Sequence, residues 1–471
     1  MTTAVVVGAG PNGLAAAVTL AAEGVAVTVL EAADTIGGGT RSGERTRPGL
    51  IHDHCSAFHP LGVGSPFLRG LGLERHGVTW RWAEVDLAHP LDSGHAAIMT
   101  RSLADTAEAL GPDGPAWRRL FGPLAARFDD LAEDLMRPLI HLPRHPLALA
   151  VFGPAALLPA TVTARRWTGA PARALFAGVA AHGMHPLGRP TTSAIGLMLV
   201  AAGHRFGWPV AEGGSRAITD ALAATLTARG GRIETGVRVR SLNELPKADA
   251  ILLDLAPAAI ADIAGDRLPD RVRRAYRRYR HGPGAFKVDL AVDGGIPWRN
   301  LDCRRAGTVH VGGTVEEIAD AEHQVHRGRL PRRPFVLVGQ QYLADPTRSV
   351  GGLHPVWAYA HVPHGYDGDA TDLIVGQIER FAPGFLERIV DKVVIRTADW
   401  PAYNANCVGG DIATGANTVR QVLFRPRLAL DPYRTGIPNV YICSAATPPG
   451  AGVHGMCGHN AALSALRSMR R

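Results

Sequence analysis

Hydrophobic and polar positions alternate in blocks along this chain, and the blocks at its start carry the most information. An apolar run, Val5-Val6-Val7, feeds glycines at Gly8, Gly10 and Gly13, and an Ala-rich stretch of helical composition follows. A second apolar run, Val25 to Leu30, ends on Glu31. Strand, glycine turn, helix, strand and terminal acid form one βαβ unit. Further on, Ala217 to Arg229 places Ile218, Leu222 and Leu226 on one helical face, and Ala248 to Asp254 reads as a buried strand. Gly284 to Val292 alternates with period two, and short strands are predicted at 308–311, 335–338 and 357–362. Residues 103–110 and 117–136 read as helices, and 438–446 as a final strand before an Ala-rich helix.

The glycine spacing has a physical reading. Gly8 permits a tight turn off the strand. Gly10, without a Cβ, lets the backbone approach a pyrophosphate, with Pro11 and Asn12 opening the helix beside it. Gly13 lets that helix pack closely on the sheet. The helix N-terminus offers unpaired N–H groups and partial positive charge to phosphates. Glu31, 18 residues after Gly13, can accept both ribose hydroxyl protons and disfavours a 2′-phosphate. A second glycine group, Gly37-Gly38-Gly39 followed by Thr40-Arg41, lets the chain fold back beside the same pyrophosphate.

This pattern resembles the E-x-x-x-x-x-G-G-R-T signature of flavoproteins that include amine oxidases and phytoene desaturases, with Gly39 in place of the Arg and Arg41 two residues on. The C-terminal stretch from Thr447 to Ala462 is similar to the closing motif of the phytoene desaturase family, to which retinol saturase is also similar. The resemblance implies an α/β fold: a glutathione-reductase-type Rossmann domain for FAD with an inserted α+β substrate domain. It places Ser444 and Ala445 near the ribityl chain, and Gly452 and the N–H of Val453 at the pyrimidine edge. His454, Gly455 and Met456 would flank the ring. A strand ending at Val239 would meet the adenine. It also suggests a division into a discontinuous FAD domain (1–70, 205–280, 410–471) and a substrate domain (71–204, 281–409).

For catalysis, two residues are candidates. Phe286-Lys287-Val288 resembles the amine oxidase strand whose Lys holds a water beside the flavin; the alternative is an exposed Lys on an edge strand. His454 can donate to the flavin or act as an acid/base, or else cap the turn. The resemblance implies oxidoreduction, or isomerisation, at carbon–carbon bonds of an apolar, isoprenoid- or polyene-like substrate. The alternatives are amine-type C–N oxidation and a flavin-binding protein without turnover. Oxygen, a quinone and a nicotinamide are all open as electron acceptor; no second glycine fingerprint within a βαβ unit points to a separate NAD(P)H domain.

Charge and composition narrow this further. The 471 residues carry a net charge of +8, almost all of it through Arg, with lysines only at 247, 287 and 392. The one dense run, Arg271 to Arg280, has no base-stacking module beside it and reads as a solvated helix face rather than a nucleic-acid site. Five scattered cysteines without C-x-x-C, and no paired His with a carboxylate at metal spacing, predict neither a redox disulfide nor a metal. The chain enters its first strand at once, which predicts no targeting peptide and a cytoplasmic location. The apolar stretch 146–159, flanked by Arg, is too short and Pro-rich to span a bilayer; it is expected as a buried wall or dimer contact, with peripheral membrane contact as the alternative. The stretch 194–203 is expected as core or pocket wall.

Overall fold

The computed structural model describes residues 2–470. Its first sheet is parallel, in the order β12-β6-β1-β2-β5. The strands are β1 (Thr3–Val7), β2 (Ala26–Leu30), β5 (Arg232–Glu234), β6 (Ala250–Leu253) and β12 (Val440–Ile442). Register pairs Val6 with Val29 on one side and Leu252 on the other, so the central strand is buried on both faces.

Helix α1 (Pro11–Ala22) packs on one face of this sheet against α5 (Arg216–Ala228) and α6 (Met456–Met469). The α1–α6 crossing is close because Gly458 faces α1: a Cβ there would lie 1.8 Å from the Asn12 carbonyl oxygen. The alanines of α1 are buried almost throughout, and this explains why small side chains dominate it.

The second sheet has seven strands in the order β11-β7-β10-β9-β8-β3-β4. These are β3 (Val85–Pro90), β4 (Ala96–Met99), β7 (Gly284–Asp293), β8 (Ala306–Val311), β9 (Val336–Gly339), β10 (Leu353–Val362) and β11 (Ile389–Ile395). All neighbours are antiparallel except β3 and β8, which are parallel. Residues 71–204 hold strands as well as helices: β3 and β4 complete this sheet. The alternation in 284–292 marks a central strand, not an edge, since β7 lies between β10 and β11.

Helix α3 (Ala170–Ala181) lies over β3, β4 and β8 of the second sheet, and α4 (Ser193–Phe206) packs against α3. The apolar stretch at 146–159 forms α2 (Pro146–Ala156), which buries Ala148 and Phe152 but exposes Leu147 and Val151. Among the described residues, no single helix is long and apolar enough to cross a membrane. The arginine run sits on a helix at Asp270–Arg277, where Arg273 pairs with Asp266 and Asp270, and Arg277 with Asp262.

Candidate cofactor and substrate site

A cavity of about 880 Å³ runs between the two sheets. One end is built by the β1–α1 turn. Gly8 has φ +104°, and a Cβ on it would lie 3.0 Å from the Asp254 Cβ. A Cβ on Gly13 would sit 2.0 Å from the Gly8 carbonyl oxygen, so the turn closes only with glycine there. The second glycine group folds back as its spacing suggests. The Gly37 N–H donates to the Ala9 carbonyl at 2.9 Å, and a Cβ on Gly38, at φ +52°, would lie 3.0 Å from the Gly10 Cα.

Glu31 sits at the end of β2 with both oxygens directed inward. One accepts the Ala9 N–H at 2.7 Å and the other the Ala33 N–H at 2.9 Å. Arg41 lies 3.6 Å from Glu31 and donates to the Thr35 and Tyr403 carbonyls. It therefore braces the acid and the loop, and its guanidinium is already committed.

Whether these residues suit a dinucleotide can be judged from what they leave open. Helix α1 has no side-chain cap, the Asn12 Oδ1 is buried without a partner, and Gly10 and Gly38 leave a side-chain-free cradle beside both. An uncapped helix end with no Cβ in the way fits a pyrophosphate.

One residue of this turn carries no mark in the sequence. Asp254, at the end of β6, lines the same cavity, and its Oδ2 accepts the Gly13 N–H at 2.9 Å. Burial pushes its pKa up to about 7, Gly13 opposing and Glu31 adding to the rise. Only the strand order, which sets β6 beside β1, brings this acid to the turn.

Of the other expected cofactor residues, Gly8, Gly10, Pro11, Asn12, Glu31, Gly38, Gly39, Arg41, Val239, Ala445, Gly452, Val453 and His454 line the cavity. Gly13, Gly37, Thr40, Ser444, Gly455 and Met456 stand behind the wall. Thr40 is fully buried, with its hydroxyl on the Gly37 carbonyl. Ser444 donates to the Leu255 carbonyl at 2.7 Å and so holds the β12 end to the β6 end. Val239 is not in a strand as expected: β5 stops at Glu234, and the following segment runs as a loop without a sheet partner.

The two catalytic candidates stand differently in the structure. His454 caps the last helix: its Nδ1 accepts the Met456 N–H at 3.1 Å, and burial pushes its pKa down to about 4. The ring is neutral at physiological pH. Lys287 is 1% exposed on central strand β7, so it is not a surface edge residue, and it is not on the cavity wall. It pairs with Asp289, and its ammonium lies 5.8 Å from the Trp357 ring centroid, on a residue that does line the cavity. Asp289 also has His52 at 3.5 Å. Cys55 lines the cavity, but burial raises its thiol pKa to about 12, so it is no nucleophile.

The other end of the cavity is apolar and aromatic. Ile195, Met198 and Leu199 of α4 face Leu337, Trp357 and Tyr359 from the second sheet. The Trp357 and Tyr359 rings meet edge-on at 4.8 Å.

Comparison with known proteins agrees with this geometry. Residues 6–68 match the NAD(P)-binding Rossmann-like domain family. The chain is 24% identical to pyridine nucleotide-disulfide oxidoreductase domain-containing protein 2 of Rattus norvegicus, over 99% of this chain and 94% of that protein. It is 24% identical to the neurosporene-forming phytoene desaturase of Rhodobacter capsulatus over 54% of this chain and 52% of the desaturase. The solved structure of a putrescine oxidase redesigned in its cofactor binding superposes with a TM-score of 0.61 at 17% identity, covering 100% of this chain and 99% of that one. The chain is an α/β protein with a Rossmann-like dinucleotide-binding domain, and it shares its overall fold with known oxidoreductases.

Proposed function

We propose that this protein is an FAD-dependent oxidoreductase acting on a carbon–carbon bond of an apolar substrate. The observation that carries the reading is one continuous cavity, which joins the glycine cradle and Glu31 to an apolar wall on the second sheet. A redox cofactor and an apolar molecule can meet there without crossing bulk water. FAD, when bound, supplies the hydride acceptor, so the chain has to bind, orient and exclude water. Glu31 would take the ribose hydroxyls and the α1 N-terminus the pyrophosphate. The turn at Gly452 to His454 would lie along the ring system, with a neutral His454 fixing the start of α6. The partial similarity to a phytoene desaturase supports carbon–carbon chemistry.

Amine oxidation is the second reading, favoured by the Trp357–Tyr359 pair and the shared fold with putrescine oxidase. Two features weigh against it. The carboxylates on the wall, Glu31, Asp34 and Asp254, belong to the nucleotide end, and Lys287 already lies against the Trp357 ring. The test is anaerobic absorbance of the flavin-loaded protein as a carotenoid precursor, a primary amine or NADPH is added. Bleaching by the carotenoid precursor supports the proposal. Bleaching by the amine alone replaces it with the second reading.

A further inference from the structure

The substrate end of the cavity is not wholly apolar: His182, Thr308 and Trp357 are on its lining. Across the inner face of the second sheet, strand register sets Lys287, Tyr359, Leu337 and His310 in one transverse row. Asp289, Trp357, Gly339 and Thr308 form the next. Thr308 and His310 are two residues apart on β8 and so point to the same side. Above them, His182 closes the C-terminus of α3, lines the cavity, and has its Nε2 2.9 Å from the His310 Nε2.

Three observations decide which way the protons point. The His310 Nδ1 is buried without a partner. It faces Gly178 of α3, where a Cβ would come within 2.8 Å of it. The His89 Nδ1 faces the same glycine, also without a partner, while the His89 Nε2 lies 2.7 Å from the Gly313 carbonyl and must carry its hydrogen. A buried N–H with no acceptor is the costlier orphan, so the His310 hydrogen belongs on Nε2, donating to the His182 Nε2. The His182 hydrogen is then on Nδ1, the ring's remaining polar atom. Burial pushes His182 down to about 3 and His310 well below its ordinary value, so both rings stay neutral. Two more donors on this wall lack partners: the Thr308 hydroxyl and the Trp357 indole N–H, both buried.

From this arrangement we infer that the distal end of the cavity is a binding site for a neutral oxygen acceptor, such as a ketone or aldehyde carbonyl, carried by an otherwise apolar substrate. His182 Nδ1–H and the Thr308 hydroxyl are its principal donors, with the Trp357 N–H beside them. A carboxylate is disfavoured, because the cations on the wall lie elsewhere. Arg41 is held by Glu31, Arg425 donates to Asn417, and Arg238 follows β5 at the nucleotide end. A bare hydrocarbon would leave the buried Thr308 and Trp357 donors unpaired. Metal binding does not explain the histidines: among the described residues, no three His, Cys, Asp or Glu side chains converge as a ligand set.

The inference rests on reading the cavity as an apolar-substrate site, and the test separates the two. Flavin-loaded protein is titrated with geranylacetone, with the hydrocarbon in which CH2 replaces its carbonyl, and with geranate, following tryptophan fluorescence. Flavin occupancy is checked by visible absorbance throughout. The expected result is that the ketone binds about ten-fold tighter than the hydrocarbon, and geranate more weakly than the ketone. His182→Phe and Thr308→Val should each erase most of that ratio by weakening the ketone alone, while Thr308→Ser retains it. Equal binding of ketone and hydrocarbon to the native protein would overturn the oxygen site and leave the apolar cavity standing. So would an unchanged ratio in Thr308→Val, an isosteric change that tests the site even if His182→Phe fails to fold. Binding of neither probe would overturn both readings.

Discussion

Replacing Asp254 by Asn should turn a pH-dependent cofactor site into a pH-insensitive one. Asp254 shares the β1–α1 turn with the place a pyrophosphate would occupy, and its Oδ2 is 3.0 Å from where a Cβ on Gly10 would lie. A phosphate charge over Gly10 would then sit on the order of 6 Å from the carboxylate. At an effective dielectric of about 20, two unit charges at that separation repel by about 3 kcal/mol, roughly 100-fold in affinity. The free protein holds Asp254 near pKa 7. Below that pH the group is already protonated, and FAD binds without penalty. Above it, binding must take up a proton, so Kd should rise about ten-fold per pH unit and level off about two units higher. Asp254→Asn keeps an acceptor for the Gly13 N–H and removes the charge. The assay is quenching of FAD fluorescence by apoprotein at pH 6, 7, 8 and 9. The native protein should weaken about 100-fold across that range, and the Asn variant should hold its low-pH affinity throughout. A flat native profile, or the same slope in the variant, would refute the reasoning. Stability supplies a second sign. An acid whose folded pKa lies above its ordinary 3.8 makes the fold most stable at low pH and costs it stability as pH rises from about 4 to 7. The apoprotein should lose stability over that window, and Asp254→Asn should remove the loss.

Three other changes probe the framework. Gly458→Ala drives a methyl to 1.8 Å from the Asn12 carbonyl oxygen, so it should lower stability by about 3 kcal/mol in urea unfolding and release cofactor with it. Arg348→Met strips the buried partner from Asp53, at 2.5 Å, and from Asp345, at 3.0 Å, and should cost about 3–5 kcal/mol by the same assay. Burial alone would raise the Asp53 pKa, but Arg348 and hydrogen bonds from Ser215 and Ser42 hold it below 3.8. The native pair therefore adds stability above that pH and loses it as pH falls through the lowered value, and an acid-unfolding profile of the variant should show that component missing. Lys287→Met leaves Asp289 buried beside His52 and should cost about 3 kcal/mol with flavin occupancy unchanged. A slower flavin reduction at unchanged stability would instead return Lys287 to a catalytic role.

The N-terminal βαβ unit was legible because its chemistry is local. Three glycines, an alanine helix and a terminal acid lie within 31 residues, and each constrains its neighbour's backbone. The period-two pattern of 284–292 was legible as a strand for the same reason, but not as a central one. Its place between β10 and β11 depends on pairings distant in sequence. Residues 85–90 and 96–99 escaped notice because β3 is buried along its whole length and its parallel partner β8 lies more than 200 residues away. Asp254 and the His182–His310 pair were invisible as sites because nothing near them in sequence marks them. Strand order brings the acid to the turn, and a helix end laid over a sheet brings the two rings together. Val239 was misplaced because an alternating Val-Arg-Val pattern reads as a strand, whereas here the segment has no sheet partner.

The measurement that bears most directly on the central claim is flavin stoichiometry, by visible absorbance after desalting, in the native protein and in Gly10→Val reconstituted with excess FAD. A side chain on Gly10 would run into the Asp254 carboxyl and fill the cradle beside Gly38. About one flavin per chain is expected in the native protein and almost none in the variant. A native protein that takes up no flavin, or a variant that holds it equally well, would contradict the assignment of this cavity as the cofactor site.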